Sequence, residues 1–182
     1  ELPYVRRQRF VDDYQLSAYD AEILTSERGL SDYFEQAVAL YAKDAKTISN
    51  WMMNDLIRLM NDTGKTAREL VLQPQALAEI VRLLDDGKIN AATGKSLLVK
   101  VEESGKSPAV IVEEEGLGLI ADADSLRTQI EVILSGAPGE VAAFRGGKES
   151  LMGWFVGQVM RSTGGKADPK LTREILAELL KA

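Results

Sequence analysis

The sequence contains no cysteine and no histidine among its 182 residues. The lack of cysteine excludes disulfides, thiolate zinc sites and cysteine nucleophiles. The lack of histidine excludes the Ser-His-Asp triad, a histidine general base and the usual imidazole metal ligands. Carboxylate, lysine, tyrosine and hydroxyl groups remain for catalysis, and the sequence shows no arrangement of them that is typical of an active site.

Long apolar runs are also missing. No stretch approaches the roughly 20 apolar residues of a membrane-spanning helix. The first residues, ELPYVRR, include neither an initiator methionine nor the apolar core of a signal peptide. We therefore expect a part of a longer protein, located in the cytoplasm.

The charge is distributed unevenly along the chain. The net charge of −6 argues against a protein that is basic throughout. Residues 1–119 account for all of this acidic excess, whereas residues 120–182 are neutral overall. Between residues 140 and 173, six basic side chains stand against three acidic ones. This local positive charge marks the place where an anionic partner can dock.

Apolar residues recur at helical spacing through most of the chain, and alternating strand-like runs are almost absent. The most strand-like stretch, AVIV at residues 109–112, follows Pro108 and ends in three glutamates, a pattern typical of a helix start. Ser17, Asp44 and Asp168 are predicted N-caps, and Gly64 is a predicted helix end. The predicted fold is all-α.

Small residues and a proline cluster at residues 104–108, between two helical patterns. This cluster predicts a domain boundary. We expect a helical domain at residues 1–107 and a smaller, compact helical domain at residues 108–182.

Two glycine-lysine segments are the first candidates for binding chemistry: FRGGKE at residues 144–149 and RSTGGKADPK at residues 161–170. In the first segment, the two glycines before a lysine can present backbone N–H groups to a phosphate while the lysine adds charge, although the spacing is not that of a P-loop. In the second segment, Lys166 and Lys170 can contact a nucleic-acid backbone as point charges, and Arg161 can make a forked contact. The simpler interpretation of each is a turn between two helices with solvated lysines.

Other candidates have simpler structural interpretations. Six aromatic residues stand at helical spacing beside aliphatic ones, which is typical of a core, with Trp154 the least certain; the others are Tyr33, Phe34, Tyr41, Trp51 and Phe155. Four acidic clusters are predicted to be solvated surface rather than paired catalytic carboxylates: residues 12–13, 85–86, 102–103 and 113–115. The run RRQR at residues 6–9 is either a small basic patch or an exposed entry helix.

The segments FVGQVM (residues 155–160) and TGGKADP (residues 163–169) carry a resemblance to a known family. They resemble the C-terminal part of the B subunit of the glutamyl/aspartyl-tRNA amidotransferases, and more broadly the YqeY-type tail domain, where the pattern reads roughly VGQVMK and then TxGKANP. Arg161 stands at the lysine position and Asp168 at the asparagine position. The segment LSAYDAEILT (residues 16–25) is similar to the LxxYDAxxLT of the B subunit and favours it over a free-standing YqeY protein.

This resemblance implies an assembly that amidates mischarged Glu-tRNA(Gln) or Asp-tRNA(Asn). In the family, ATP activates the side-chain carboxylate, the A subunit supplies ammonia from glutamine, and activation and amidation occur with Mg²⁺ in the N-terminal cradle domain of the B subunit. This chain corresponds to the helical and tail domains, which grip the tRNA. No cofactor is therefore expected here, while ATP and Mg²⁺ are implied for the full-length protein and the A and C subunits are implied as partners.

The two glycine-lysine segments are accordingly predicted to contact tRNA. The predicted phosphate contacts, and the glycines that allow close approach, are Arg145, Gly147, Lys148, Arg161, Gly165, Lys166 and Lys170. Two alternatives remain open. Exposed Leu, Met or Trp positions on residues 151–160 would favour a protein-docking module of a larger complex. A self-sufficient enzyme is disfavoured by the missing histidine and cysteine.

Overall fold

The computed structural model describes residues 1–120 and 123–181. The helices in these ranges confirm the predicted all-α class. The described ranges contain α1 (Pro3–Tyr14), α2 (Ala18–Leu24), α3 (Arg28–Leu40), α4 (Ala45–Trp51), a π-helical segment (Met52–Leu56), α5 (Ile57–Thr63), α6 (Pro74–Asp85), α7 (Ala91–Ser104), α8 (Pro108–Glu114), α9 (Ala123–Ser135), α10 (Pro138–Arg145), α11 (Leu151–Ser162) and α12 (Pro169–Lys181). Within the same ranges, the β contact is limited to an isolated parallel bridge between Ile120 and Ala167. None of these helices is long and apolar enough to cross a membrane.

The helix boundaries follow the capping residues that the sequence predicts. The Oγ of Ser17 and the Oδ1 of Asp44 each accept a backbone N–H from the first turn of the following helix at 3.0 Å. At the start of α12, Asp168 Oδ1 accepts a backbone N–H at 2.7 Å. Gly64 ends α5 with a φ of 68°, in the left-handed region that favours glycine. These local predictions are confirmed.

The chain forms two compact units. Unit 1 comprises Glu1–Asp86 and Ala91–Gly116, and unit 2 comprises Gly87–Asn90 together with the described residues from Leu117 onward. This division differs from the predicted boundary between residues 107 and 108. The chain therefore enters unit 2 briefly after α6, returns to unit 1 for α7 and α8, and then completes unit 2.

Helix α8 explains the difference between the predicted and observed boundaries. It packs against α6 and α7, with Ile111 buried, and the Ala109 N–H donates to the Glu79 carboxylate at 3.1 Å. The proline that suggested a linker instead occupies the first turn of this helix, where its missing N–H costs nothing. The apolar face of α8 places it in unit 1.

Aromatic side chains form much of the unit 1 core. The rings of Phe10 and Phe34 lie 4.9 Å apart, and Tyr14 packs edge-on against both. Tyr33 is buried and donates its hydroxyl to the Leu72 carbonyl at 2.9 Å. Burial, together with the charge of Glu102, raises the pKa of Tyr33, so this hydroxyl stays a donor. The core interpretation is confirmed for Tyr33 and Phe34, and Phe10 and Tyr14 join them in this cluster.

Unit 2 buries one side of each of α9, α11 and α12. Its core is centred on fully buried residues from these three helices: Leu126, Ile130, Phe155, Val159 and Leu176. Helix α10 contributes partly buried residues, and its Phe144 ring packs edge-on against Phe155 at 6.3 Å. Trp154, in contrast, is exposed.

The arginines of residues 6–9 hold α1 against α3. Arg6 pairs with Asp32 at 2.7 Å and also with Glu35. Arg9 pairs with Glu35 at 2.5 Å and with Glu1 at 2.6 Å. Arg6 keeps only 15% of its side chain exposed. These two arginines are therefore structural, and residues 6–9 do not form an open basic patch.

Acid is expected to weaken this α1–α3 attachment through Glu35. Burial raises the pKa of Glu35, but hydrogen bonds from Arg9 and Arg6 outweigh it and hold the pKa below its ordinary value. A depressed folded pKa contributes stability that is present above the unfolded pKa and lost as the pH falls through the folded pKa. Urea unfolding between about pH 6 and pH 3 should show a shallower loss of stability for E35Q than for the wild type.

The control for this pH dependence is E27Q, because Glu27 is exposed and makes no side-chain ion pair among the described residues. E27Q should keep the wild-type pH dependence. Equal slopes for the wild type and E35Q would show that the Glu35 carboxylate contributes nothing to acid sensitivity.

Candidate nucleic-acid interface

The first glycine-lysine segment closes α10 and leads into α11. The N–H groups of Gly146, Gly147 and Lys148 donate to carbonyls of α10 at 2.9, 3.0 and 3.1 Å. Gly147 has a φ of 103°, which a side chain rarely allows. Because a helix end needs these donors for its own carbonyls, they are not available to a phosphate. The backbone-cradle hypothesis is wrong for this segment, which is a helix-terminating turn.

The second segment closes α11 in the same way. The N–H groups of Gly164 and Gly165 donate to carbonyls of α11 at 3.3 and 2.7 Å, and the Lys166 N–H donates to the Thr163 carbonyl at 3.2 Å. Gly164 and Gly165 have φ values of 60° and 79°. These three N–H groups are therefore not available to an anion, and the contacts predicted for this segment involve the side chains of Arg161, Lys166 and Lys170.

Residues distant in sequence fix the shape of this second turn. The Asn90 side-chain amide donates to the Gly165 carbonyl at 2.9 Å. The Ile120 N–H donates to the Lys166 carbonyl at 2.7 Å, and this bond forms the isolated bridge. The carbonyls of Gly165 and Lys166 are therefore each held by a hydrogen bond from a residue distant in sequence, while the Lys166 side chain is partly exposed.

The predicted site residues fall at two ends of α11. The Arg145 Nε donates to the Leu180 carbonyl at 3.2 Å, which places the end of α12 beside the end of α10. Arg145 and Lys148 therefore lie near the start of α11, whereas Arg161, Lys166 and Lys170 lie near its end. A twelve-residue helix separates these ends by about 18 Å. The structure thus brings the predicted cations together as two groups.

The two units use their basic side chains differently. In unit 1 every lysine and arginine except Lys46 and Arg82 forms an ion pair within 4.0 Å. In unit 2, among the described residues, only Arg127 does so, with Glu178 at 2.6 Å. All the predicted cations of unit 2 therefore lack an acidic partner within the described part of the chain. This contrast leaves unit 2 with basic groups available to an external anion.

The position of Lys170 in its helix also favours contact with an external anion. It lies in the first turn of α12, where the helix dipole disfavours a positive charge. It is exposed and forms no ion pair with a described residue. Its placement gains nothing for the helix and suits contact with an anionic partner.

The acidic clusters take structural roles where the structure gives them partners. Glu102 is buried and accepts from Lys65 at 2.6 Å and from the Leu72 N–H at 2.8 Å. Asp85 accepts from the Tyr41 hydroxyl and from Lys43. Glu102 is thus buried rather than solvated, contrary to prediction. Within residues 1–120 and 123–181, no three acidic side chains converge on a possible metal position, so the described part offers no carboxylate set for Mg²⁺.

A family model described as the GatB domain matches residues 32–180. The chain belongs to the GatB domain family. Curated relatives named as the B subunit of aspartyl/glutamyl-tRNA(Asn/Gln) amidotransferase share 49% identity with it in Parasynechococcus marenigrum (strain WH8102) and 41% in Persephonella marina (strain DSM 14350 / EX-H1). Each match covers 100% of this chain and 37% or 38% of the relative. This GatB domain chain therefore spans well under half the length of those proteins.

Arg173 and Lys181 are basic residues that the sequence did not single out for the candidate site. Both are exposed on α12 of this GatB domain chain, and neither pairs with an acidic side chain among the described residues. The excess of basic residues between residues 140 and 173 includes Arg173, whereas Lys181 lies outside it. Their lack of partners is a property of the folded chain, because it depends on where the acidic residues lie.

Proposed function

We propose that this chain is the tRNA-binding, noncatalytic portion of the B subunit of a glutamine-dependent tRNA amidotransferase, and that unit 2 makes the RNA contacts. The observation that carries the proposal is the set of unpaired basic side chains in unit 2 beside the almost fully paired set in unit 1. Lysine and arginine contacts to phosphates position a folded RNA. The names of the relatives, which are subunits of tRNA amidotransferases, favour tRNA as that RNA.

In this proposal the chain holds the body of Glu-tRNA(Gln) or Asp-tRNA(Asn) in the cytoplasm while ATP-dependent amidation takes place elsewhere in the enzyme. The A and C subunits would bind through the rest of the full-length protein. The two groups of cations at the ends of α11 span about 18 Å. Such a span suits phosphates on separate turns or strands of a folded RNA.

A docking module for another protein is the second candidate function, and the exposure of Trp154 favours it. The other bulky apolar side chains of α11 argue against an apolar docking face. Leu151, Met152 and Met160 are partly buried and pack against the unit 2 core. Compared with an apolar docking face, an RNA interface requires fewer exposed apolar groups and more unpaired cations. Unit 2 has this pattern.

Fluorescence anisotropy with labelled tRNA(Gln) and tRNA(Asn) transcripts tests the proposal. Titrations at about 50 to 200 mM salt should show log affinity falling linearly with log salt, by about 0.7 to 0.9 for each phosphate contacted. A hairpin of unrelated sequence serves as the control and should bind more weakly. Absence of binding to either tRNA throughout this salt range would reject the proposal and favour the docking module.

A further inference from the structure

The solvent-facing side of α11 carries an exposed indole. Trp154 keeps 39% of its surface exposed, while the next residue, Phe155, is fully buried. The two rings meet edge-on at 5.1 Å, so one edge contact anchors the indole. Its N–H has no hydrogen-bond acceptor among the described residues. The anchored ring is therefore open to an external partner.

The residues beside Trp154 leave its surroundings open. Gly153 and Gly157 flank it on α11, and Gly157 shares its face because positions three apart lie one above the other. Both glycines are exposed, and a Cβ added to either would meet no atom within 4 Å. Packing within the described chain therefore gives no reason for glycine at these positions, although glycine is a poor helix former. A flat partner can approach the indole closely from this side.

The charge around this face selects an anionic partner. Residues 151–162 include no acidic side chain, and Arg161 lies in the last turn without an ion-pair partner among the described residues. Trp154 and Arg161 are separated by about 10 Å along the helix axis. Lys148 lies just before the helix, beside the exposed Glu149. It has no ion-pair partner in the same described ranges. An aromatic ring between unpaired cations fits a nucleic-acid strand with accessible bases better than an apolar protein face.

We infer that Trp154 stacks on an unpaired nucleobase of the bound RNA while Arg161 contacts a nearby phosphate. This inference rests on the proposed function and narrows it. Single-stranded loops and bulges offer bases that can stack on aromatic side chains, whereas paired bases inside an A-form helix do not. The face of α11 therefore binds a looped part of the tRNA, and the lysines grip its backbone.

Binding measurements on W154A and W154F in the 182-residue chain test the inference. W154A should weaken tRNA binding about tenfold, and W154F should weaken it less because a phenyl ring also stacks. Neither variant should change the salt dependence, since stacking releases no counterions. Y19A is the matched control, because Tyr19 is an exposed aromatic residue of unit 1 and should not matter.

Tryptophan fluorescence gives a second readout. The chain has two tryptophans, and W154F leaves only Trp51. The tRNA should quench emission in the wild type and leave emission of W154F nearly unchanged. The inference would be overturned if W154A bound tRNA with wild-type affinity and tRNA did not quench the emission of the wild type. That result would indicate a protein contact for Trp154. Salt-dependent tRNA binding in the same experiment would leave the proposed function standing, whereas no binding by the wild type would reject both.

Discussion

Replacing Lys148, Lys166 and Lys170 together with glutamine should weaken tRNA binding on the order of a hundredfold near about 0.15 M salt. The three lysines lie at both ends of α11 and have no ion-pair partner among the described residues. Each phosphate that is no longer neutralised by a lysine reduces the slope of log affinity against log salt by about 0.7 to 0.9. Salt-titrated anisotropy should therefore show the slope falling by about 2 to 3.

The structure supplies a matched control for this charge change. Lys46 and Arg82 are the basic residues of unit 1 that lack an ion pair in the described part of the chain. A comparison at equal charge uses K148Q/K170Q, which removes two of the three charges from unit 2, and K46Q/R82Q, which removes two from unit 1. K148Q/K170Q should weaken binding, whereas K46Q/R82Q should keep near-wild-type affinity and slope. Similar losses in the two double variants would mean that net charge, rather than the surface of unit 2, governs RNA binding.

Replacing Glu102 with alanine should lower the free energy of unfolding by about 3 kcal/mol. The side chain of Glu102 is only 4% exposed, and it accepts from Lys65 Nζ and the Leu72 N–H. Its removal leaves a buried backbone donor and a partly buried ammonium without partners. Since Tyr33 donates to the carbonyl of the same Leu72, the connection before α6 would loosen as well. Urea unfolding monitored by circular dichroism measures this loss.

Two further substitutions show whether this loss comes from the buried carboxylate. Glu103 is the exposed neighbour of Glu102, and E103A should change stability by less than about 0.5 kcal/mol. E102Q keeps an oxygen for the Leu72 N–H and should cost less than E102A. Equal stability of E102A and E103A would contradict the structural role of Glu102.

The sequence predicted the local features of the fold well. Caps such as Ser17 and Asp168 depend on neighbouring backbone groups, and helical spacing depends on which face is buried, so both are encoded over short distances. The predicted boundary between residues 107 and 108 differs from the division into compact units because a Ser-Gly-Pro cluster looks the same in a linker and before a helix. What distinguishes them is Ile111 packing against distant helices.

The candidate site was predicted only in part, for a similar reason. The glycine-lysine segments were found, but the backbone N–H groups of Gly147 and Gly165 are used by the helices that they terminate. The difference in ion pairing between the units depends on partners far apart in sequence, such as Lys65 with Glu102 and Arg9 with Glu35. No local pattern records those pairs. The interaction of tRNA with the named lysines stays a prediction.

The four residues Gly87–Asn90 have a consequence for how this protein can be divided. They belong to unit 2 although α7 and α8 of unit 1 follow them in the chain. The Lys88 carbonyl accepts the Leu119 N–H at 2.7 Å, and Asn90 supports the turn that carries Lys166. A recombinant tail excised at Leu117 would lack both supports. Because unit 2 includes Gly87–Asn90, it is not one continuous segment of the chain, and any segment that contains all of it also contains α7 and α8 of unit 1.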